Sequence, residues 1–192
     1  MYKQSRYIVN GITWYRIIAA PILLVLIFAK QLDLFKWLLA LSFFTDLIDG
    51  YLARKYKVVS IMGSRLDSIG DDLTVFSAII GLFVFESEFV RKELMSFIIL
   101  FSLFIVQTSF ALIRYRKISS FHTYLAKSAA ILQGSFFILI FLLPEPLYLL
   151  FYLAAVVTGI ELLEEIILVA LLPQWEANVK GLFWVLKRQK HS

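Results

Sequence analysis

Four aspartates, Asp46, Asp49, Asp67 and Asp71, fall inside sequence that is otherwise apolar enough to lie in a membrane. An ionised side chain at the centre of a membrane helix opposes insertion by roughly 2.5–3.5 kcal/mol, so four would oppose it by about 10 kcal/mol. A divalent cation suits the task of compensating them, because hard cations take carboxylate oxygens. The spacing supports a shared ion. At about 100° per residue, Asp46, Asp49, Gly50 and Ala53 fall within one arc of about 100° on a helix. Gly63, Asp67 and Asp71 follow one another at i, i+4 and i+8 and form a second stripe. Two facing helices would bring four carboxylates into one polar pocket, with small residues that let a ligand come close. A polar helix pair serving assembly or ion passage would use the same residues.

The string continues with fixed spacing: Asp46-x2-Asp49-Gly50-x2-Ala53-Arg54, eight residues, then Gly63-x3-Asp67-x3-Asp71. It resembles the signature of the CDP-alcohol phosphotransferase family at every fixed position. That resemblance implies a six-helix membrane bundle, usually a homodimer, with its cavity open to the cytoplasm. It implies transfer of a phosphatidyl group from CDP-diacylglycerol to an alcohol, with release of CMP, as a step of phospholipid biosynthesis. Asp46, Asp49 and Asp67 would hold one Mg²⁺ or Mn²⁺, Asp67 and Asp71 a second, and Asp71 would act as general base. Gly50, Arg54 and Ser60 would contact the CDP moiety, and the planar fork of Arg54 suits phosphate oxygens. Asn10, Thr13, Arg16 and Pro21 resemble the amino-terminal pattern of phosphatidyl-transferring members, which implies that Asn10 and Gly11 help hold the nucleotide. The attack should be direct, since there is no cysteine and no evident activated serine.

The elements that must position these groups are membrane helices. The chain has 192 residues, 60% of them hydrophobic and 16% aromatic, with a mean hydropathy of +0.82. Soluble domains usually hold about 45–50% apolar residues. The expected fold is therefore all-α and integral to the membrane, a single domain over 1–192. His122 and His191 are the only histidines and cysteine is absent, which leaves carboxylates as metal ligands. The net charge of +5 comes from basic residues beside apolar segments, which fits membrane topology rather than nucleic acid.

Six apolar runs approach the roughly 20 residues that cross a bilayer: 12–29, 33–54, 62–85, 94–115, 126–143 and 147–172. No cleavable signal peptide is evident, so the first run should be retained as a helix. With a cytoplasmic N-terminus, fifteen of the nineteen Lys and Arg residues fall on the cytoplasmic side. Only Lys30, Lys36, Arg91 and Lys92 fall opposite, which puts both termini and the aspartates towards the cytoplasm. Both terminal segments should be interfacial. Over 175–186, Trp175, Val179, Leu182, Phe183 and Leu186 share one helical face and Lys180 and Lys187 the other, so an amphipathic helix is expected within about 174–190, its basic face suited to anionic lipid.

The acceptor is less clearly written. Arg114, Arg116, Lys117 and Lys127 surround the link between the fourth and fifth runs and suit an anionic acceptor, although positive-inside bias would place them there too. Glycerol 3-phosphate is the best-supported acceptor on this reading. The string Asp67-Ser68-Ile69-Gly70-Asp71-Asp72 departs from the Asp-Pro-x-Ala-Asp-Lys form common in phosphatidylglycerophosphate synthases. Inositol phosphate, serine or another alcohol therefore stays open, as does a divalent cation transporter using the same carboxylates. Asp72 lies about 140° from Asp67 around a helix and should stand outside the metal cluster. His122 reads as a solvated loop residue. Glu161, Glu164 and Glu165 lie in the sixth run, where carboxylates are functional by default, but the signature gives them no role.

Overall fold

A computed structural model describes residues 15, 17–56, 61–117, 119, 121–176 and 179–189; at 46–56, 61–69, 71, 72 and 189 it describes the backbone alone. The described residues are helical, with no strand among them. The helices are α1 (Ile17–Phe28), α2 (Leu32–Tyr56), α3 (Ile61–Phe85), α4 (Ser87–Lys92), α5 (Leu94–Tyr115), α6 (Tyr124–Leu142), α7 (Tyr148–Leu171) and α8 (Leu182–Gln189). The expected runs at 33–54, 62–85, 94–115, 126–143 and 147–172 coincide with α2, α3, α5, α6 and α7 to within about two residues. Helix α4 is an addition, a single six-residue helix in the link that precedes α5. Among the described residues two helices, α5 and α6, are long and apolar enough to cross a membrane. On α5 the apolar side chains Met95, Ile99, Phe101, Val106 and Ile113 are all exposed, as a lipid-facing surface requires.

Two compact units divide the chain. The first comprises residues 1–91 with 140–144, the second 92–139 with 145–192. In the first, α2 packs against α3. Phe35 of α2 is fully buried and lies over Gly81 of α3, where a Cβ would overlap its ring. Phe141 meets Phe35 edge-on at 5.1 Å between centroids, and Phe85 lies 5.3 Å from Phe35. Such aromatic pairs add about 0.5–1.5 kcal/mol beyond area burial. They hold the α2–α3 pair at the end remote from the link at 57–60.

In the second unit α5 packs along α7. Phe151 anchors it, touching Phe97 at 5.5 Å and Phe136 at 5.4 Å. Helix α7 stops where Pro173 forces its predecessor out of the helical region, and Leu172 is extended at φ −81°, ψ 125°. Helix α5 ends on Arg116, a left-handed residue at φ 54° whose N–H returns to the Leu112 carbonyl at 2.9 Å. Helix α6 begins after Thr123, whose hydroxyl accepts the Ala126 N–H at 3.0 Å as an N-cap.

The carboxy-terminal expectation needs correction. No helix covers 175–186: the chain is non-helical at Trp175, Glu176, Val179 and Lys180, and α8 starts only at Leu182. Gly181 immediately precedes α8, and its φ of 146° lies outside what a side chain tolerates. Val179 and Val185 are buried, whereas Phe183, Trp184 and Leu186 are exposed.

Candidate active site

Helix continuity decides how the aspartates are placed. Asp46, Asp49, Gly50 and Arg54 all lie on α2, and Asp67 and Asp71 on α3, with no break in either helix. The helical registers used above therefore hold on the backbone. Asp46 and Asp49 are about one turn apart on one face, and so are Asp67 and Asp71. Helices α2 and α3 pack on each other and share one compact unit. The donor set is all carboxylate oxygen, which fits a hard divalent ion and would be self-repelling without one. The side chains of these six residues lie outside the described set, as do Asn10, Gly11, Arg16 and Ser60 entirely.

Described residues extend both stripes. Ser42 precedes Asp46 by four residues and Thr74 follows Asp71 by three, so each continues its carboxylate stripe along the same helix. Both are buried, at 0% and 2% exposure. Their hydroxyls donate to carbonyls one turn back, Ser42 to Leu38 at 2.9 Å and Thr74 to Gly70 at 2.8 Å. Ser77, also buried, donates to Leu73 at 2.9 Å. Back-bonding satisfies each hydroxyl inside its own helix, so the polar stripe runs into the apolar interior at little desolvation cost. Sequence reasoning missed Ser42 and Thr74, although the same three- and four-residue spacing would have found them.

The four basic residues assigned to the acceptor all lie in the second unit. Arg114 donates through Nη2 to the Leu172 carbonyl at 3.2 Å, next to the Tyr115 hydroxyl, which donates to Val169 and Leu172 carbonyls at 3.0 and 2.9 Å. Arg114 thus helps cap the end of α7, a structural task. Lys117 sits over the Trp175 ring at 5.0 Å and Lys127 over the Tyr124 ring at 5.5 Å, both cation–π contacts. Arg116, exposed, occupies the end of α5. His122 is exposed and takes a left-handed φ of 51°.

The glutamates of α7 acquire partners. Glu165, only 9% exposed, accepts from Ser119 Oγ at 2.7 Å and from Gln107 Nε2 at 2.5 Å. The same Gln107 amide also donates to Ser119 Oγ, closing a three-membered network. Glu164 Oε1 accepts the Leu182 N–H at 2.9 Å, at the start of α8.

A family model described as CDP-alcohol phosphatidyltransferase matches residues 6–167. Two relatives, from Rickettsia typhi and Rickettsia prowazekii, are each 28% identical over 169 residues, covering 78% of this chain and 91% and 90% of their own lengths. A third, from Rickettsia bellii, is 40% identical over 84 residues, which cover 42% of this chain and 46% of that relative. All three are named CDP-diacylglycerol–glycerol-3-phosphate 3-phosphatidyltransferase. No solved structure matches significantly.

Proposed function

The chain belongs to the CDP-alcohol phosphatidyltransferase family, and from that premise we propose that it transfers a phosphatidyl group from CDP-diacylglycerol to glycerol 3-phosphate, releasing CMP. One observation carries the chemistry: the eight fixed positions between Asp46 and Asp71 lie on two helices that pack together. The choice of acceptor rests on the names of the relatives that match over 78% of the chain.

In this reading Asp46, Asp49, Asp67 and Asp71 hold a divalent metal, two ions per site, as Mg²⁺ or Mn²⁺. When bound, the ions neutralise the donor's pyrophosphate and stabilise CMP as it leaves. Gly50 gives the nucleotide close approach to α2, and Arg54 pairs with its phosphate oxygens. Asn10, Gly11 and Ser60 complete the nucleotide's contacts. Asp71 takes the proton from the acceptor hydroxyl. That oxygen then bonds to the phosphatidyl phosphorus while the bond to the CMP oxygen breaks. The cationic groups of Arg116, Lys117 and Lys127 meet the acceptor's phosphate. The protein is a multi-pass membrane homodimer with six spans, both termini and the site facing the cytoplasm.

Purified protein with CDP-diacylglycerol and a panel of alcohols tests the reading by CMP release. Glycerol 3-phosphate should give the highest kcat/KM, above inositol phosphate, serine and glycerol. Metal flux into vesicles with no CMP formed from any acceptor would favour a cation transporter instead.

A further inference from the structure

The proposed metal chemistry gives the glutamates of α7 no part, yet two of them bind other segments of the second unit, the α5–α6 link and the chain that follows α7. Glu165 reaches the link itself through Ser119, with Gln107 of α5 as the third corner. Glu164 reaches the chain that follows α7, taking the Leu182 N–H, one of the orphan donors at the start of α8. Gly181 leaves room for this. A Cβ there would come within 3.1 Å of Glu164 Oε1.

The two anchored segments also hold each other. The described residues 172–176 and 179–189 form a strap lying beyond the stretch that the family model matches, which ends at residue 167. Its Val179 and Val185 share a buried cluster with Phe121 of the link and with Ala111, Leu168 and Val169. The backbone N–H of Tyr124 donates to the Lys180 carbonyl at 3.2 Å, and the Tyr124 ring meets Trp184 at 5.4 Å. Lys117, in the link, lies over Trp175 of the strap. The link is thus tied to α7 through Ser119 and Glu165 and packed through Phe121 and Lys117 on the strap, which Glu164 in turn holds to α7.

We propose that Glu164 and Glu165 are positioning residues for the acceptor, acting as a double latch that sets the α5–α6 link and the basic side chains it carries. The proposal rests on the reading that Arg116, Lys117 and Lys127 bind the acceptor phosphate. Neither glutamate touches substrate. Their carboxylates are adjacent in sequence but about 100° apart on the helix, which lets one residue pair grip two separate segments.

The test joins kinetics to amide hydrogen exchange on the full-length protein in lipid nanodiscs. The variants are Ser119→Ala, Glu165→Leu, Glu164→Leu and the conservative Glu164→Gln, which keeps an oxygen for the Leu182 N–H. Ser119→Ala removes the hydroxyl's two bonds, to Glu165 and from Gln107, without a large cavity and so keeps the test alive if Glu165→Leu does not fold. Exchange at Tyr124 and Leu182 should speed up about tenfold in the disruptive variants. The KM for glycerol 3-phosphate should rise roughly three- to tenfold while the KM for CDP-diacylglycerol stays within about twofold. Glu164→Gln should restore both readouts to near wild type. Unchanged exchange in Ser119→Ala and Glu164→Leu would overturn the latch. Faster exchange with unchanged acceptor KM would overturn the positioning role. In that case Arg116→Gln and Lys127→Gln show where the fault lies: if they raise acceptor KM, the latch alone is wrong, and if they do not, the assignment of the link to the acceptor has failed.

Discussion

Two sets of carboxylates lie in apolar helices of this protein, and they are arranged in opposite ways. The aspartates of α2 and α3 recur every three or four residues, so each helix presents its pair on one side. Glu164 and Glu165 of α7 are adjacent and point to different neighbours, one to the start of α8 and one to Ser119 and Gln107. Repetition on one face concentrates like charge, which only an external cation relieves. Adjacency disperses charge among donors of the protein itself. The first arrangement suits the ligand site proposed above, and the second joins segments of the protein to each other.

The largest effects should come from the concentrated set. Chelation with excess EDTA, or Asp67→Asn or Asp71→Asn, should lower the rate of CMP release by about a thousandfold or more. Added Mg²⁺ or Mn²⁺ should restore the chelated enzyme but not the variants. Full turnover in excess chelator would break the contrast, because the aspartates would then need no cation.

A smaller effect should separate the basic residues by their surroundings. Arg116→Gln and Lys127→Gln should raise the acceptor KM about tenfold and leave the donor KM nearly unchanged. Arg114→Gln should behave differently, since its guanidinium already bonds the Leu172 carbonyl at the end of α7. Loss of that bond should lower thermal stability by the order of 1–3 kcal/mol, with acceptor KM close to wild type. If all three variants share one kinetic signature, Arg114 has a direct acceptor contact that its structural bond does not exclude.

What could be read in advance follows the same division. The α2–α3 stripes depend on local periodicity, so the sequence alone located them, and α2 and α3 run unbroken through every aspartate. The second unit depends on distant partners. Ser119 and Glu165 are 46 residues apart and Gln107 and Glu165 are 58, so no window of sequence contains the network. The strap misled for a related reason. Helical period alone grouped Phe183 with Val179, but Val179 lies outside any helix, α8 starts only at Leu182, and Val185 takes the buried side. Pro173 and Gly181 together were the available signal that no unbroken helix would run from Trp175 to Leu186.

The smallest expected effect sharpens the comparison most. Asp72 neighbours Asp71 in sequence, as Glu165 neighbours Glu164, so it tests whether adjacency again means a different task. Helix α3 runs unbroken from Ile61 to Phe85, and Asp72 sits about 140° from Asp67 and 100° from Asp71 around it. A carboxylate at that angle lies off the stripe that Asp67 and Asp71 share. Replacing it with asparagine keeps the shape, removes the charge and turns one acceptor oxygen into an NH2 donor. Asp72→Asn should therefore keep CMP release within about threefold of wild type, against the thousandfold loss in Asp71→Asn. Titrating Mg²⁺ makes the measurement more discriminating, because an off-stripe carboxylate should leave the metal dependence of the rate unshifted even where the maximal rate falls slightly. A variant that inserts normally, yet is as inactive as Asp71→Asn or needs much more Mg²⁺, would place Asp72 among the metal ligands and show that on α3 adjacency does not disperse charge as it does on α7.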